Sequence, residues 1–168
     1  TISRRQRQMC IRDRVGVGNR ADYYDAYGAV RDMVQNHLLQ LVCLVAMEPP
    51  SFFNADQVRD EKLRVLRAIR PVAADDIVCG QYQEYANELG RPSNTETYVA
   101  MKLAIDNWRW AGVPFYIRTG KQLARRASEI VITFKQRPHD IFQRNGGGTI
   151  ESPPNRLIIR LQPREGLR

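Results

Sequence analysis

Between residues 24 and 47, Val30, Met33, Val34, Leu38, Leu41, Val42 and Val45 recur at helical spacing, and Pro49 and Pro50 stop the run. The spacing predicts one long helix. Inside it, Arg31 to Gln40, RDMVQNHLLQ, sets Asp32, Gln35, Asn36 and His37 into an otherwise apolar stretch. A polar turn inside a core helix costs free energy, because each buried polar group needs a partner. Periodicity alone leaves three readings of His37: a satisfied core histidine, a helix exposed at that turn, or a group that meets a polar substrate.

Beyond the prolines, Asn54 with Gln57 three residues later forms a capping-box-like start. The helix it opens is expected to run to about Ile69 and to bury Val58, Leu63, Leu66 and Ile69. Its face of Arg59, Asp60, Glu61, Lys62 and Arg64 is expected to be mostly solvated. Pro71 then switches the chain to strands, read over 77–82, 95–106, 113–118, 129–135 and 155–162, with a turn at 107–112 and a glycine loop at 146–148. Helices followed by sequential strands with short turns predict an α+β domain with a mainly antiparallel sheet.

At 168 residues the chain has the size of one ordinary domain. No apolar run approaches the ~20 residues of a membrane span. Cys10, Cys43 and Cys79 show neither paired nor metal-ligand spacing, and with two histidines no zinc site is expected. A reducing, cytoplasmic home fits. The net charge of +8 invites a nucleic-acid reading, but residues 1–14 hold five arginines against one aspartate, half of that excess. No interleaved aromatic platform accompanies the charge, so no nucleic-acid partner is expected. The opening TISRRQRQMCIRDR does not begin with methionine and reads as translated adapter or vector sequence. A disordered basic tail and an Arg-rich transit peptide are the alternatives. Residues 1–14 are therefore set outside the fold and expected to be poorly ordered.

Two motifs mislead. Gly16-Val17-Gly18-Asn19-Arg20-Ala21 has the spacing of a dinucleotide fingerprint, but arginines precede it where a strand is required. Leu38 to Leu41 stand where the ribose-binding acid belongs. Thr119-Gly120-Lys121 has the ending of a phosphate loop, but Phe115 occupies the place of its first glycine. Lys121 nevertheless follows a strand end and adjoins Gly120, where backbone can approach a ligand, and lysine is a serviceable phosphate binder. An exposed, solvated turn lysine is the other reading. Trp108 and Trp110 around Arg109 are read as packing residues at a strand corner, with subunit contact as the alternative.

The run from Val15 to Pro50, with Tyr23-Tyr24-Asp25, Gly28, RDMVQNHLLQ and Ala46-Met47-Glu48-Pro49-Pro50, closely resembles the C-terminal domain of glucose-6-phosphate dehydrogenase. Matching blocks follow in order: Arg59 to Lys62, Gly80-Gln81-Tyr82, Ser93 to Thr97, Asn107 to Pro114, Arg118 to Lys121, and Arg160 to Pro163. The resemblance implies a large, mainly antiparallel sheet that helices cover on one face, over residues 15–168. It implies oxidation of glucose 6-phosphate at C1 to 6-phosphogluconolactone with NADP⁺. By position His37 is the family's general base, Asp32 a sugar-binding carboxylate, Lys121 a phosphate ligand, and Arg126 the basic residue five positions later. Gln162 matches a further sugar-contacting position. On an ideal α-helix Asp32 and His37 lie ~140° apart and would flank a sugar.

The same resemblance implies that NADP is bound mainly by an N-terminal nucleotide domain absent from these residues, so no cofactor ligand is expected here. The family's Arg-Ile-Asp-His-Tyr-Leu-Gly-Lys motif and the C-terminal end of the sheet are missing as well. This chain alone is therefore expected to be inactive. The intact enzyme is expected to form a homo-oligomer, dimer or tetramer, through its sheet. The shortened loop from Gln83 to Pro92 is read as peripheral to the chemistry. The rival reading is a noncatalytic, truncated paralogue that binds sugar phosphates or nucleic acid.

Overall fold

Alternating apolar residues on seven short segments build a single sheet, and a computed structural model describes it over residues 4–12, 16–135 and 153–168. Its strands are β1 (Arg4–Arg12), β2 (Ile77–Gly80), β3 (Tyr98–Leu103), β4 (Phe115–Gly120), β5 (Ala127–Phe134), β6 (Arg156–Gln162) and β7 (Gly166–Leu167). The spatial order is β2-β3-β4-β1-β5-β6-β7. Only β1 and β4 run parallel; the other neighbours are antiparallel. The fold is thus the expected α+β domain with a mainly antiparallel sheet. The glycine loop read at 146–148 lies outside the described residues.

One register row crosses the whole sheet: Ile77, Met101, Ile117, Met9, Ile130, Ile159 and Leu167. Each strand contributes one apolar side chain to it, and the central Met9, Ile117 and Ile130 are buried. Helices cover this face. α1 (Ala21–Ala29), a π-helical segment (Val30–Leu38) and α2 (Leu39–Ala46) follow one another along the chain and bury Tyr24, Val34, Leu38, Val42, Cys43 and Ala46. α3 (Ala55–Ala68) packs beside α2, and the short α4 (Tyr85–Leu89) buries Tyr85 in the same core.

Four expectations need correction. Residues 4–12 do not stand outside the fold: they form β1, which lies in the middle of the sheet between β4 and β5, with Met9 and Cys10 buried. Strand pairing uses backbone groups, so an arginine-rich segment can pair on both edges while alternate residues such as Met9 and Ile11 enter the core. The long helix is not uniform either, being broken at Gly28 (φ 68°, ψ 177°) and wound as a π-helix after it. In α3 the buried residue is Val65, while Leu63 and Leu66 are exposed, because the helix meets the core along one narrow edge. Asn54 does cap it, accepting from the Gln57 N–H at 2.9 Å, although Gln57 Oε1 reaches back to the Phe52 N–H instead. Finally, Trp110 is buried and bonded through Nε1 to the Ala46 carbonyl at 2.8 Å, but Trp108 is fully exposed.

Candidate active site

The register row next to the apolar one changes character. It runs Val99, Thr119, Ile11, Ser128 and Gln162. Thr119 and Ser128 are buried hydroxyls at core-facing positions, a local break in the apolar pattern of β4 and β5. They floor, together with Ile11, a cavity of about 270 Å³. Tyr24 from α1 and Met33 and His37 from the π segment form its wall, and Gly120, Lys121, Arg126 and Gln162 complete it. This is close to the lower end of the roughly 300–1,000 Å³ of small-molecule pockets.

Of the residues singled out in the sequence, His37, Lys121, Arg126 and Gln162 therefore converge from three separate parts of the chain: the π segment, the β4–β5 connection and the end of β6. Asp32 is not among the lining residues. Alternation along β6 turns Leu157, Ile159 and Leu161 one way and Gln162 the other. A bulge pairs Glu129 with Arg160 but Ser128 with Gln162, which brings Gln162 round to the cavity. The sequence reading missed Ile11, Tyr24, Met33, Thr119 and Ser128. The signal for Thr119 and Ser128 was present: each is a hydroxyl in a core-facing, period-two position, one near the end of β4 and the other near the start of β5, the two strands that flank β1.

The π winding also revises the geometry of Asp32 and His37. Leu39 N–H donates to Val34 O, five residues back. Such i→i+5 bonding returns the chain to nearly the same side after five residues, and π turns cluster at functional sites. The wider turn leaves Asp32 and His37 closer in angle than the ~140° of an ideal α-helix, with His37 on the cavity and Asp32 off its lining. Burial, then the charges of Asp32 and Glu96, push the Tyr24 phenol well above its ordinary value, so it stays protonated. Its hydroxyl is buried with no hydrogen-bond partner among the described residues, at a cost of about 1–3 kcal/mol.

Lys121 is held by its backbone. Its N–H donates to Thr97 O at 3.0 Å, and its ammonium stands 5.6 Å from the Tyr24 ring centroid. Gly120 before it has no room for a side chain: a Cβ would lie 2.8 Å from the Tyr98 ring. At the other end of the wall, α1 is tied down through Asp25. Ser93, Tyr85 and Arg91 all hydrogen-bond its carboxylate, and the Ser93 bond leads in holding it below the ordinary aspartate range.

Residues 5–168 match the family model for the glucose-6-phosphate dehydrogenase C-terminal domain. The chain belongs to the glucose-6-phosphate dehydrogenase family. It is 54% identical to glucose-6-phosphate 1-dehydrogenase of Rhizobium meliloti (strain 1021), over 96% of this chain and 35% of that protein. It is 52% identical to the enzyme of that name from Zymomonas mobilis, over 94% of this chain and 35% of the relative. The crystal structure of glucose-6-phosphate 1-dehydrogenase from Mycobacterium avium superposes with a TM-score of 0.88 at 41% identity, over 99% of this chain and 37% of that one. A glucose-6-phosphate dehydrogenase in complex with its substrate glucose-6-phosphate gives 0.84 at 36% identity, over 98% of this chain and 34% of that one. The chain spans about a third of the length of the curated relatives it matches.

A glucose-6-phosphate dehydrogenase works with a nicotinamide cofactor, and the glycine turn at 16–21 does not fit its pyrophosphate. The glycine pattern at Gly16 is pressed against Glu88, whose Oε2 would lie 2.4 Å from a Cβ at Gly16. Val17 N–H donates to the same carboxylate at 3.2 Å. A turn whose amide is committed to a carboxylate cannot cradle a pyrophosphate.

Proposed function

We propose that this domain supplies the sugar-phosphate half of a glucose-6-phosphate dehydrogenase active site, with His37 as general base. The observation that carries the reading is the convergence of His37, Lys121, Arg126 and Gln162 on one cavity of sugar-phosphate scale. Lys121 and Arg126 attract the dianionic phosphate, lysine as a point charge and arginine as a planar fork. That phosphate anchors one end of the sugar. Gln162, Thr119 and Ser128 offer neutral hydrogen-bonding groups to hydroxyls along it. At the other end a neutral His37 imidazole accepts the proton of the C1 hydroxyl as the C1–O bond becomes a carbonyl. The hydride that leaves C1 in this reaction is taken by NADP⁺, a cofactor bound outside the described residues. Asp32, on the same π-helical segment as His37, is assigned to sugar hydroxyls.

The reading is tested first by division of labour. The 168-residue chain is expected to show no NADP⁺-linked turnover of glucose 6-phosphate, and the full-length protein that carries it is expected to show turnover. Activity in the isolated chain, or none in the full-length protein, rejects the proposal. Lys121→Ala in the full-length protein is expected to raise KM for glucose 6-phosphate about 10- to 100-fold while moving kcat less, since a charged hydrogen bond contributes about 1.5–3 kcal/mol. Steady-state kinetics decides this, and an unchanged KM removes Lys121 from the site.

Oligomer formation is assigned to the sheet's uncovered face. Val78 and Tyr116 are exposed there beside a second cavity of about 440 Å³, lined also by Lys102 and Arg118.

A further inference from the structure

At Gly28 the helical wall of the site restarts, and glycine cannot cap it. The residue has φ 68° and an extended ψ, so Ala29 and Val30 are the first two residues of a new helix. The opening N–H groups of a helix lack intrahelical partners, and the N-cap side chain ordinarily accepts one of them. Glycine has none to offer. The acceptors come instead from the segment leading into β3. Ala29 N–H donates to the Glu96 carbonyl at 3.0 Å, and Val30 N–H donates to Glu96 Oε1 at 2.9 Å. The fit is tight enough that a Cβ on Gly28 would stand 2.5 Å from Glu96 Oε1.

The next residue makes the other connection. Thr97 is buried, its carbonyl accepts the Lys121 N–H at 3.0 Å, and its own N–H donates to Gly80 O at 2.9 Å. Two consecutive residues therefore join the helix that carries Asp32 and His37 to the turn that carries Lys121. We infer that Glu96 is a positioning residue: its carboxylate caps the restarted helix and sets where His37 stands relative to the phosphate-binding turn. The inference rests on the sugar-phosphate reading of the cavity. Glu96 touches no reacting atom in it and acts through Val30. Its negative charge at a helix N-terminus also faces the favourable end of the helix dipole.

The role predicts a particular kinetic split. Removing the Glu96 side chain strips the Val30 N–H of its acceptor but leaves the Glu96 carbonyl on Ala29 and the Thr97 carbonyl, and hence Lys121, in place. In the full-length protein, Glu96→Ala is expected to lower kcat about 10- to 100-fold and to change KM for glucose 6-phosphate less than about threefold, because misplacement near the chemistry is felt in the transition state. Glu96→Gln keeps an oxygen that can accept the Val30 N–H and is expected to retain kcat within about threefold. Glu96→Asp keeps the charge but shortens the reach, and is expected to lose kcat as alanine does. That Gln/Asp pair decides the question if the alanine variant does not fold. Thr95→Ala, which removes only a side-chain bond to the Asp25 carbonyl, serves as the structural control and is expected to leave kcat unchanged. Full kcat in Glu96→Asp, or equal losses in Gln and Asp, overturns the inference while wild-type turnover leaves the reading of the site intact. No turnover in the wild type overturns both.

Discussion

Replacing His37 with alanine in the full-length protein is expected to lower kcat on glucose 6-phosphate by about 10²- to 10⁴-fold, the range a positioned general base contributes. The C1 hydroxyl has to shed its proton as hydride departs, and without an acceptor in reach the developing cation on the sugar is not relieved. Met33 and Tyr24, which share the cavity wall with His37, offer no base: one is a thioether and the other a phenol held protonated by burial. The phosphate contacts proposed for Lys121 and Arg126 do not involve His37, so KM is expected to move only a few-fold. That split separates loss of the base from loss of the pocket. A kcat within tenfold of wild type would remove His37 from the chemistry.

The second large effect is on stability. Trp110→Ala is expected to cost about 3–5 kcal/mol, the usual range for truncating a fully buried tryptophan. The ring is 1% exposed and packs edge-to-face on Phe115 at 5.3 Å between centroids. Its Nε1 donates to the Ala46 carbonyl at the end of α2, so the truncation also strands a buried acceptor where the helix meets the sheet. Trp108→Ala, two residues away and fully exposed, is expected to change stability by no more than about 0.5 kcal/mol. Denaturant melts of the two variants side by side test the contrast, and equal losses would contradict the packing described here.

These two tryptophans mark a boundary of legibility. Both belong to one short motif at a strand corner, and composition offers no reason to separate them. Which ring turns inward depends on the corner backbone, where Trp110 N–H bonds Asn107. The same limit applied to β1. Its charge count argued for a tail, and its own periodicity of Met9 and Ile11 was too short to outweigh five arginines. Only the open edges of β4 and β5, supplied by residues a hundred positions later, make a strand of it.

The sequence by itself determined the two leading helical stretches, the five strands from β2 to β6 in their order, the cap at Asn54, the mainly antiparallel sheet and, through its ordered motifs, the family. It also named four of the residues that line the cavity, because the residue types suited to binding phosphate or moving a proton are few and stood in recognisable blocks. The tertiary structure alone decided how those residues meet. The break at Gly28, the π winding between Asp32 and His37, and the bulge that turns Gln162 inward are all departures from ideal periodicity. Local pattern carries no information about them, since each is stabilised by a partner far along the chain: Glu96 for the helix break, Ser128 opposite the bulge, and the sheet beneath the π segment.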